Sequence, residues 1–460
     1  MLEPLWTSDE ILRATGGALL GAPFDAAGVS IDTRSLEPGD LFVALADLRD
    51  GHEFVGQALD KGASGALVTR PIAGSQIVVP DSLKALEALG VAARERAVQA
   101  RRGAVTGSVG KTSVTQALAA GLALAGPSHA SVKSYNNHIG VPLTLARTPR
   151  ATRRAVFEVG MNHADEIAPL SRMIEPHAVV ITTVGPVHME NFADGEVGVA
   201  RAKAEIFAGL RPDGVAVLNA DNRWFDLLKA EAEAVGARVV RFGAADGCDA
   251  QLTGFDIAPG GAVVGARLHG RSLRFPIRQS GAHWGPNSLA VLLMLEALDV
   301  DLDTSLAALS DFAPLSGRGA EQSVALSGRV FDLIDESYNA NPVSMGAAIA
   351  SLGARRLAGR RILALTDMLE LGPDSPRYHA ELAGPIAEAG VDLVFCAGPL
   401  MRSLWEALPA ARRGGYAETA GELSGQLAEA VRSGDVVLVK GSKGSKAADI
   451  VAVLSEGSAG

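Results

Sequence analysis

The chain has 460 residues, of which 48% are apolar and 20% charged; that composition excludes a disordered polypeptide, and the length exceeds what one hydrophobic core can organise. At about 150 residues per domain, roughly three domains are expected. The formal net charge of −10 argues against a broad nucleic-acid-binding surface, which needs Lys and Arg in excess, although a cleft can still concentrate positive charge for an anionic substrate.

The N-terminal run MLEPLWTSDEIL is acidic where a secretory signal would be basic. From there to residue 98 the pattern reads as a small α/β unit. Strands are expected at 29–31, 41–45 and 66–69, with an amphipathic helix over 52–61. The polar run RERAVQARR (94–102) marks the first boundary. Residues 99–315 alternate strand and helix. The β-branched apolar runs at 155–159, 179–183 and 215–219 lack polar alternation, as strands buried on both faces of a parallel sheet should. Between 249 and 278 residues alternate around Pro259-Gly260-Gly261, which predicts an inserted hairpin or small antiparallel sheet. The most apolar helical run, 289–298, is too short for a membrane span and contains Glu296. Residues 316–460 form a second α/β series, with strands expected at 330–334, 362–365, 393–396 and 436–439, as in a Rossmann-like domain. The two cysteines, Cys248 and Cys396, lack sequence-near partners and read as free buried thiols of a reducing compartment, so a cytoplasmic protein is expected.

The segment TGSVGKTS (106–113) follows a short apolar run and opens the helical pattern SVTQALAAGLALA. Strand, glycine turn and helix form the context of a phosphate-binding loop. Backbone N–H groups of Gly107, Ser108, Val109 and Gly110 can turn toward phosphate oxygens, aided by the helix dipole. Lys111 can reach the β- and γ-phosphates, and the Thr112 hydroxyl can ligate Mg²⁺, with Ser113 following it. The longer GxxxxGK[ST] form needs glycine at 105, where this chain has Val105; the loop is a GxxGKT variant.

Together with FEVGMN (157–162), VGPVHMENF (184–192), RAKAEIF (201–207) and GAHWGPNSLAV (281–291), this loop resembles the Mur ligases of peptidoglycan synthesis. SYNNHIGVPLTL (134–145), IDESYNANPVSM (334–345), LTDMLELG (365–372) and VKGSKGSK (439–446) point to the member that adds D-Ala-D-Ala to UDP-MurNAc-tripeptide. At the other end, SIDTRSLEPGDLFVAL (30–45) and DGHEFVGQAL (50–59) resemble a uridine-binding domain. The implied fold is α/β in three domains: 1–98 binding the UDP-sugar, 99–315 a P-loop ATPase-like parallel sheet with a small antiparallel insertion, and 316–460 a Rossmann-like domain serving the amino substrate and ATP closure. Val109 stands where a small polar residue is usual, Thr366 replaces a glycine, and Lys443 stands where arginine is common.

The implied chemistry joins a carboxylate to an amine through an acyl phosphate, which requires ATP held in line and neutralisation of crowded anions, for which two Mg²⁺ ions are suited. The resemblance makes Glu158, at a strand end, a Mg²⁺ ligand and places His188 on the second ion. Lys203, taken alone, is one more solvated helix lysine; the family pattern makes it a carbamylated metal ligand. Asn287 is expected beside adenine, Arg318 at the γ-phosphate, and Asp335 and Asn339 against the ribose or phosphates. Ser30, Arg34 and the turn Asp50-Gly51-His52 are candidates for the nucleotide sugar, with Asn136, Asn137 and Asn162 along its sugar and peptide. A monomer without membrane span or nucleic acid is expected.

Three other readings compete. A sister ligase adding one diamino acid should carry an AspAsnProArg box in its last domain, where this chain reads AsnAlaAsnPro (339–342). A folate polyglutamylating ligase is the second. A P-loop switch protein should carry a guanine-reading AsnLysXaaAsp box, and none occurs.

Overall fold

The computed structural model describes residues 3–46, 49–132, 134–187, 189–258 and 260–456. Among these, the strands form a five-, a nine- and a six-stranded sheet plus one two-stranded pair. The five-stranded sheet runs Ala18–Leu20, Gln76–Val78, Gly65–Val68, Asp40–Val43, Gly28–Ser30, parallel except for the first pair. The helix Ser82–Arg96 then leads to the strand Arg101–Thr106.

Arg101–Thr106 lies inside the nine-stranded sheet, between Ala178–Ile181 and Arg154–Glu158. Residue alternation explains why these strands lack polar positions. Val105, Val180 and Val217 face the helices Lys111–Leu124 and Trp284–Ala297, whereas Ala104, Ile181 and Leu218 face the opposite layer with Ile167, Leu170 and Val199. Both faces are core.

The antiparallel segment expected near 249–278 is present as Ala250–Ala258, Gly261–Leu268 and Arg271–Ile277. It is not a separate sheet. Ala250 pairs in parallel with Phe242, so the three strands extend the central sheet at its edge.

The six-stranded sheet has the order Ala320–Leu326, Arg329–Glu336, Val436–Lys440, Arg361–Thr366, Leu393–Ala397, Arg413–Ala417, parallel except for the first pair. Its first and last strands were not expected. Thr366, found in place of a glycine, fits because residue 441 is glycine: a Cβ there would meet the Thr366 hydroxyl, which instead bonds Ser445 Oγ at 2.6 Å. Cys396 is buried and Cys248 half-buried, both unpaired. No helix among the described residues is long and apolar enough to cross a membrane.

Candidate active site

A cavity of about 650 Å³ separates the central and last sheets. Its floor is the phosphate loop. Gly107 has φ +148°, and a Cβ on it would collide with the Thr182 hydroxyl; Gly110, at φ +86°, opens the helix. Thr182 Oγ1 donates to the Val109 carbonyl at 2.5 Å, Ser108 Oγ donates to the Gly185 carbonyl, and Gly185 N–H donates back, both at 3.0 Å. The loop is thus held from the neighbouring strand end, and its shape does not depend on a glycine at 105.

Lys111 Nζ donates to the Gly107 carbonyl at 2.7 Å, folded over its own loop. Burial lowers its pKa, the Glu158 charge opposes that, and Arg318 adds to the lowering. Thr112 Oγ1 lies 3.5 Å from Ser134 Oγ, and Ser113 is buried in the first helical turn. Asn287 reaches the loop: an added Cβ at Gly110 would sit 3.3 Å from its Nδ2.

Glu158 ends the strand Arg154–Glu158, only 1% exposed. Its Oε1 accepts from Asn136 Nδ2 at 2.7 Å, while Oε2 is buried without a hydrogen-bond partner. A buried carboxylate oxygen left this way is costly unless a cation satisfies it. Asn136 therefore holds Glu158, rather than standing free for a sugar. Asn137 Oδ1 accepts from the N–H groups of Ile139 and Gly140 in the turn that leads into the helix Gly140–Ala146, and Asn162 is exposed on the cavity wall.

Lys203 is the largest departure from a plain reading of its helix. It is 2% exposed in the helix Glu196–Ala204, and among the described residues its Nζ has one hydrogen-bonding neighbour, Met161 Sδ at 3.8 Å. Burial, and secondly the charge of Lys111, push its pKa well below the ordinary lysine value. It is no solvated lysine. His188 lies outside the described residues. Among those described, no group of three His, Cys, Asp or Glu side chains could hold a metal.

The opposite wall belongs to the last sheet. Asn341 caps the helix Pro342–Gly353, accepting from Ser344 N–H at 2.9 Å, and Pro342 starts it, so part of the AsnAlaAsnPro motif is helix initiation. Asn339 faces the cavity, and its carbonyl accepts from Lys440 Nζ at 3.0 Å. Asp335 does not face it. Its Oδ2 accepts from Gly317 N–H at 2.7 Å, and its Oδ1 from both Ser337 N–H and Ser337 Oγ. Both oxygens are spent on the turn that carries Arg318, whose guanidinium lies over the Tyr338 ring, 3.9 Å from its centroid. Among the described residues, none of Lys111, Arg318 and Lys443 is in a salt bridge, which leaves these cations available to an anion.

Tyr338, Ser134 and Thr182 were not singled out from sequence, although the first two sit within motifs that were. None of Ser30, Arg34, Asp50, Gly51 and His52 lines this cavity. Ser30 is buried, and its hydroxyl donates to the Asp32 carbonyl. Arg34 is exposed in a two-point pair with Asp32. His52 is buried between Asp50 Oδ1 at 2.6 Å and Thr69 N–H at 2.9 Å, which makes it a brace within its own turn. Arg70 and the His52 contacts hold the Asp50 carboxyl well below its usual pKa.

Comparison with known proteins gives a consistent result. Residues 105–295 match the Mur ligase middle domain and residues 324–443 the Mur ligase glutamate ligase domain. The UDP-N-acetylmuramoyl-tripeptide–D-alanyl-D-alanine ligase of Escherichia coli is 33% identical over 98% of both chains, and that of Bacillus subtilis is 33% identical over 93% of both. The crystal structure of MurF from Acinetobacter baumannii superposes with a TM-score of 0.86 at 29% identity, covering 99% of each chain.

Proposed function

The chain belongs to the Mur ligase family, and we propose that it is the member that joins D-alanyl-D-alanine to UDP-N-acetylmuramoyl-tripeptide, converting ATP to ADP and phosphate. The observation that carries this reading is the two-walled cavity. One wall offers a phosphate loop and Glu158 with an unsatisfied oxygen; the other offers Arg318, Asn339 and Lys443. A switch protein needs only the first wall. A ligase must bring a third reactant to an activated carboxylate and keep water out, which the second wall supplies.

In the reaction a carboxylate oxygen of the peptide attacks the γ-phosphorus and ADP leaves. The dipeptide amine then attacks the acyl carbon, phosphate leaves, and the amine loses a proton. The phosphate loop and Lys111 hold the nucleotide, Asn287 packs on the adenine side, and Arg318 reaches the γ-phosphate. Residues 1–98 hold the UDP-sugar at the exposed Arg34 and the Asp50–Gly51 turn, which buried His52 braces and beside which buried Ser30 ends its strand; residues 99–315 hold ATP, and residues 316–460 bring the dipeptide. All groups come from one chain, so a monomer suffices. We place the enzyme in the cytoplasm, consistent with its unpaired cysteines.

Mg²⁺ fits the same wall. The orphaned Glu158 Oε2 and the Thr112 hydroxyl are hard oxygen donors of the kind it prefers, and bound there it would neutralise charge on the phosphate oxygens. Lys203 does not fit as an ammonium. Once deprotonated, its amine can add to CO₂, forming an N–C bond and releasing one proton, and the resulting carbamate is an oxygen donor. Labelling with ¹³C-bicarbonate should give a carbamate carbon resonance that is missing in Lys203→Met; the same spectrum from both proteins removes this assignment.

The decisive assay measures ADP release with ATP and UDP-MurNAc-tripeptide, with and without D-Ala-D-Ala. Turnover should require the dipeptide; turnover indifferent to it sinks the proposal.

A further inference from the structure

We infer that Tyr338 is a positioning residue that ties closure of the last domain to the phosphate loop, an inference that rests on the ligase reading above. Its hydroxyl lies 2.7 Å from Ser134 Oγ, and Ser134 Oγ lies 3.5 Å from Thr112 Oγ1. Ser134 and Thr112 belong to the central domain and Tyr338 to the last, so a chain of three hydroxyls crosses the cavity. The same tyrosine offers its ring to Arg318, 3.9 Å above the centroid. Tyr338 N–H donates to the Gly317 carbonyl at 3.0 Å, and an added Cβ at Gly317 would lie 3.0 Å from the Tyr338 Cβ, so ring and turn are locked together.

One side chain thereby fixes two things. Its ring sets where Arg318 stands, and its hydroxyl sets where that ring stands relative to Thr112. The hydroxyl bond spans two domains and exists only when they are together. It therefore acts on the closed state and not on either domain alone. Asp335, with both oxygens committed to the Gly317 turn and Ser337, is the stand on which this assembly is built.

The test is a double-mutant cycle on the full-length enzyme with ATP, UDP-MurNAc-tripeptide and D-Ala-D-Ala. Tyr338→Phe keeps the ring and removes the hydroxyl, and should lower kcat about fivefold to tenfold, the usual weight of one neutral hydrogen bond. KM for the UDP-peptide and the melting temperature should not change. Ser134→Ala should reproduce that loss, and the double variant should be no slower than either single one. Tyr338→Leu, which also removes the platform under Arg318, should lose roughly another tenfold. A Tyr338→Phe enzyme with wild-type kcat, or a double variant whose loss is the product of the single losses, overturns the inference. Small-angle scattering with a non-hydrolysable ATP analogue reads closure directly. Equal compaction of wild type and Tyr338→Phe overturns the inference even in active enzymes. A wild type that compacts but shows no dipeptide-dependent turnover overturns the ligase reading alone.

Discussion

The central domain meets its two neighbours in opposite ways. On the N-terminal side the junction is a shared core. Leu143 and Ala146, from the helix Gly140–Ala146, belong to one buried cluster with Trp6, Ile11 and Leu89. Trp6 Nε1 donates to the Ala146 carbonyl at 2.8 Å, and the Arg96 guanidinium covers the indole ring at 3.8 Å while bonding the Leu5 and Thr148 carbonyls. On the C-terminal side no buried apolar cluster crosses among the described residues: two clusters stop at Leu309 and Ala232, and the next two begin at Ile334 and Val324. Besides a close approach of Val343 to Gly185, the contacts there include hydrogen bonds of Ser134 with Tyr338 and of Ser280 with Glu321 and Arg355. Apolar burial is non-directional and is lost whenever the parts separate, so the first junction is a weld. A few hydrogen bonds exchange readily with water, so the second can open and close.

Breaking the weld should have the largest effect. Trp6→Ala removes a fully buried indole and should cost about 3–5 kcal/mol, read as a lower urea midpoint, with proteolysis starting in the first hundred residues. If Tyr338→Ala costs as much, the contrast between the junctions is wrong. A milder test is Gly90→Leu. Gly90 is pressed against Leu145 and Pro142, and even its added Cβ would lie 3.1 Å from Leu145 Cβ and from the Pro142 carbonyl oxygen. Overpacking there should cost about 1–3 kcal/mol. The smallest effect concerns the hinge. Burial tends to raise the Glu321 pKa, but hydrogen bonds from Arg355 and then Ser280 overcome it, and the net shift is downward. A carboxyl with a lowered folded pKa contributes stability that is complete above its ordinary value of 4.5 and lost as pH falls through the lowered one. Part of the pair is exposed, so its worth after screening is below about 1 kcal/mol. Acid should therefore widen the scattering profile of wild type slightly before any unfolding, and Glu321→Gln should abolish that step. A wild-type profile that stays constant from neutral pH to the onset of unfolding removes the hinge role of Glu321.

How much of this could be read from sequence depended on whether the determining contact was local. The phosphate loop and the strand ending in Glu158 were legible because strand, turn and helix follow each other within one short stretch. Lys203 was not: its neighbours along the helix are alanines and Arg201, and its burial comes from parts of the fold distant in sequence, such as Met161, 42 residues away. Asp335, expected against the nucleotide, has both carboxylate oxygens bonded within the Gly317 turn and to Ser337, an arrangement the sequence does not distinguish because a strand-end carboxylate can face a ligand or cap a loop with equal local logic. The strands Ala320–Leu326 and Arg413–Ala417 escaped notice for a common reason: both lie at sheet edges, where one row of backbone groups is unpaired and side chains are mixed or glycine. The antiparallel segment was recognised, but its continuity with the central sheet rests on the pairing of Phe242 with Ala250, which no periodicity encodes.

The helix Gly140–Ala146 has one more consequence. Its C-terminal half is embedded in the N-terminal core, while the segment just before it carries Asn136, which grips Glu158. The first domain and Glu158 therefore sit on one rigid beam, and the distance between them is a constant of the fold. Under the proposed reading, a nucleotide sugar held by the first domain would have to present its terminal carboxylate at that reach. A peptide shorter by one residue loses about 3.3–3.6 Å of extended chain. If the proposed domain roles hold, such a fixed reach would gauge the donor as a caliper does and leave adjustment to the more loosely joined last domain.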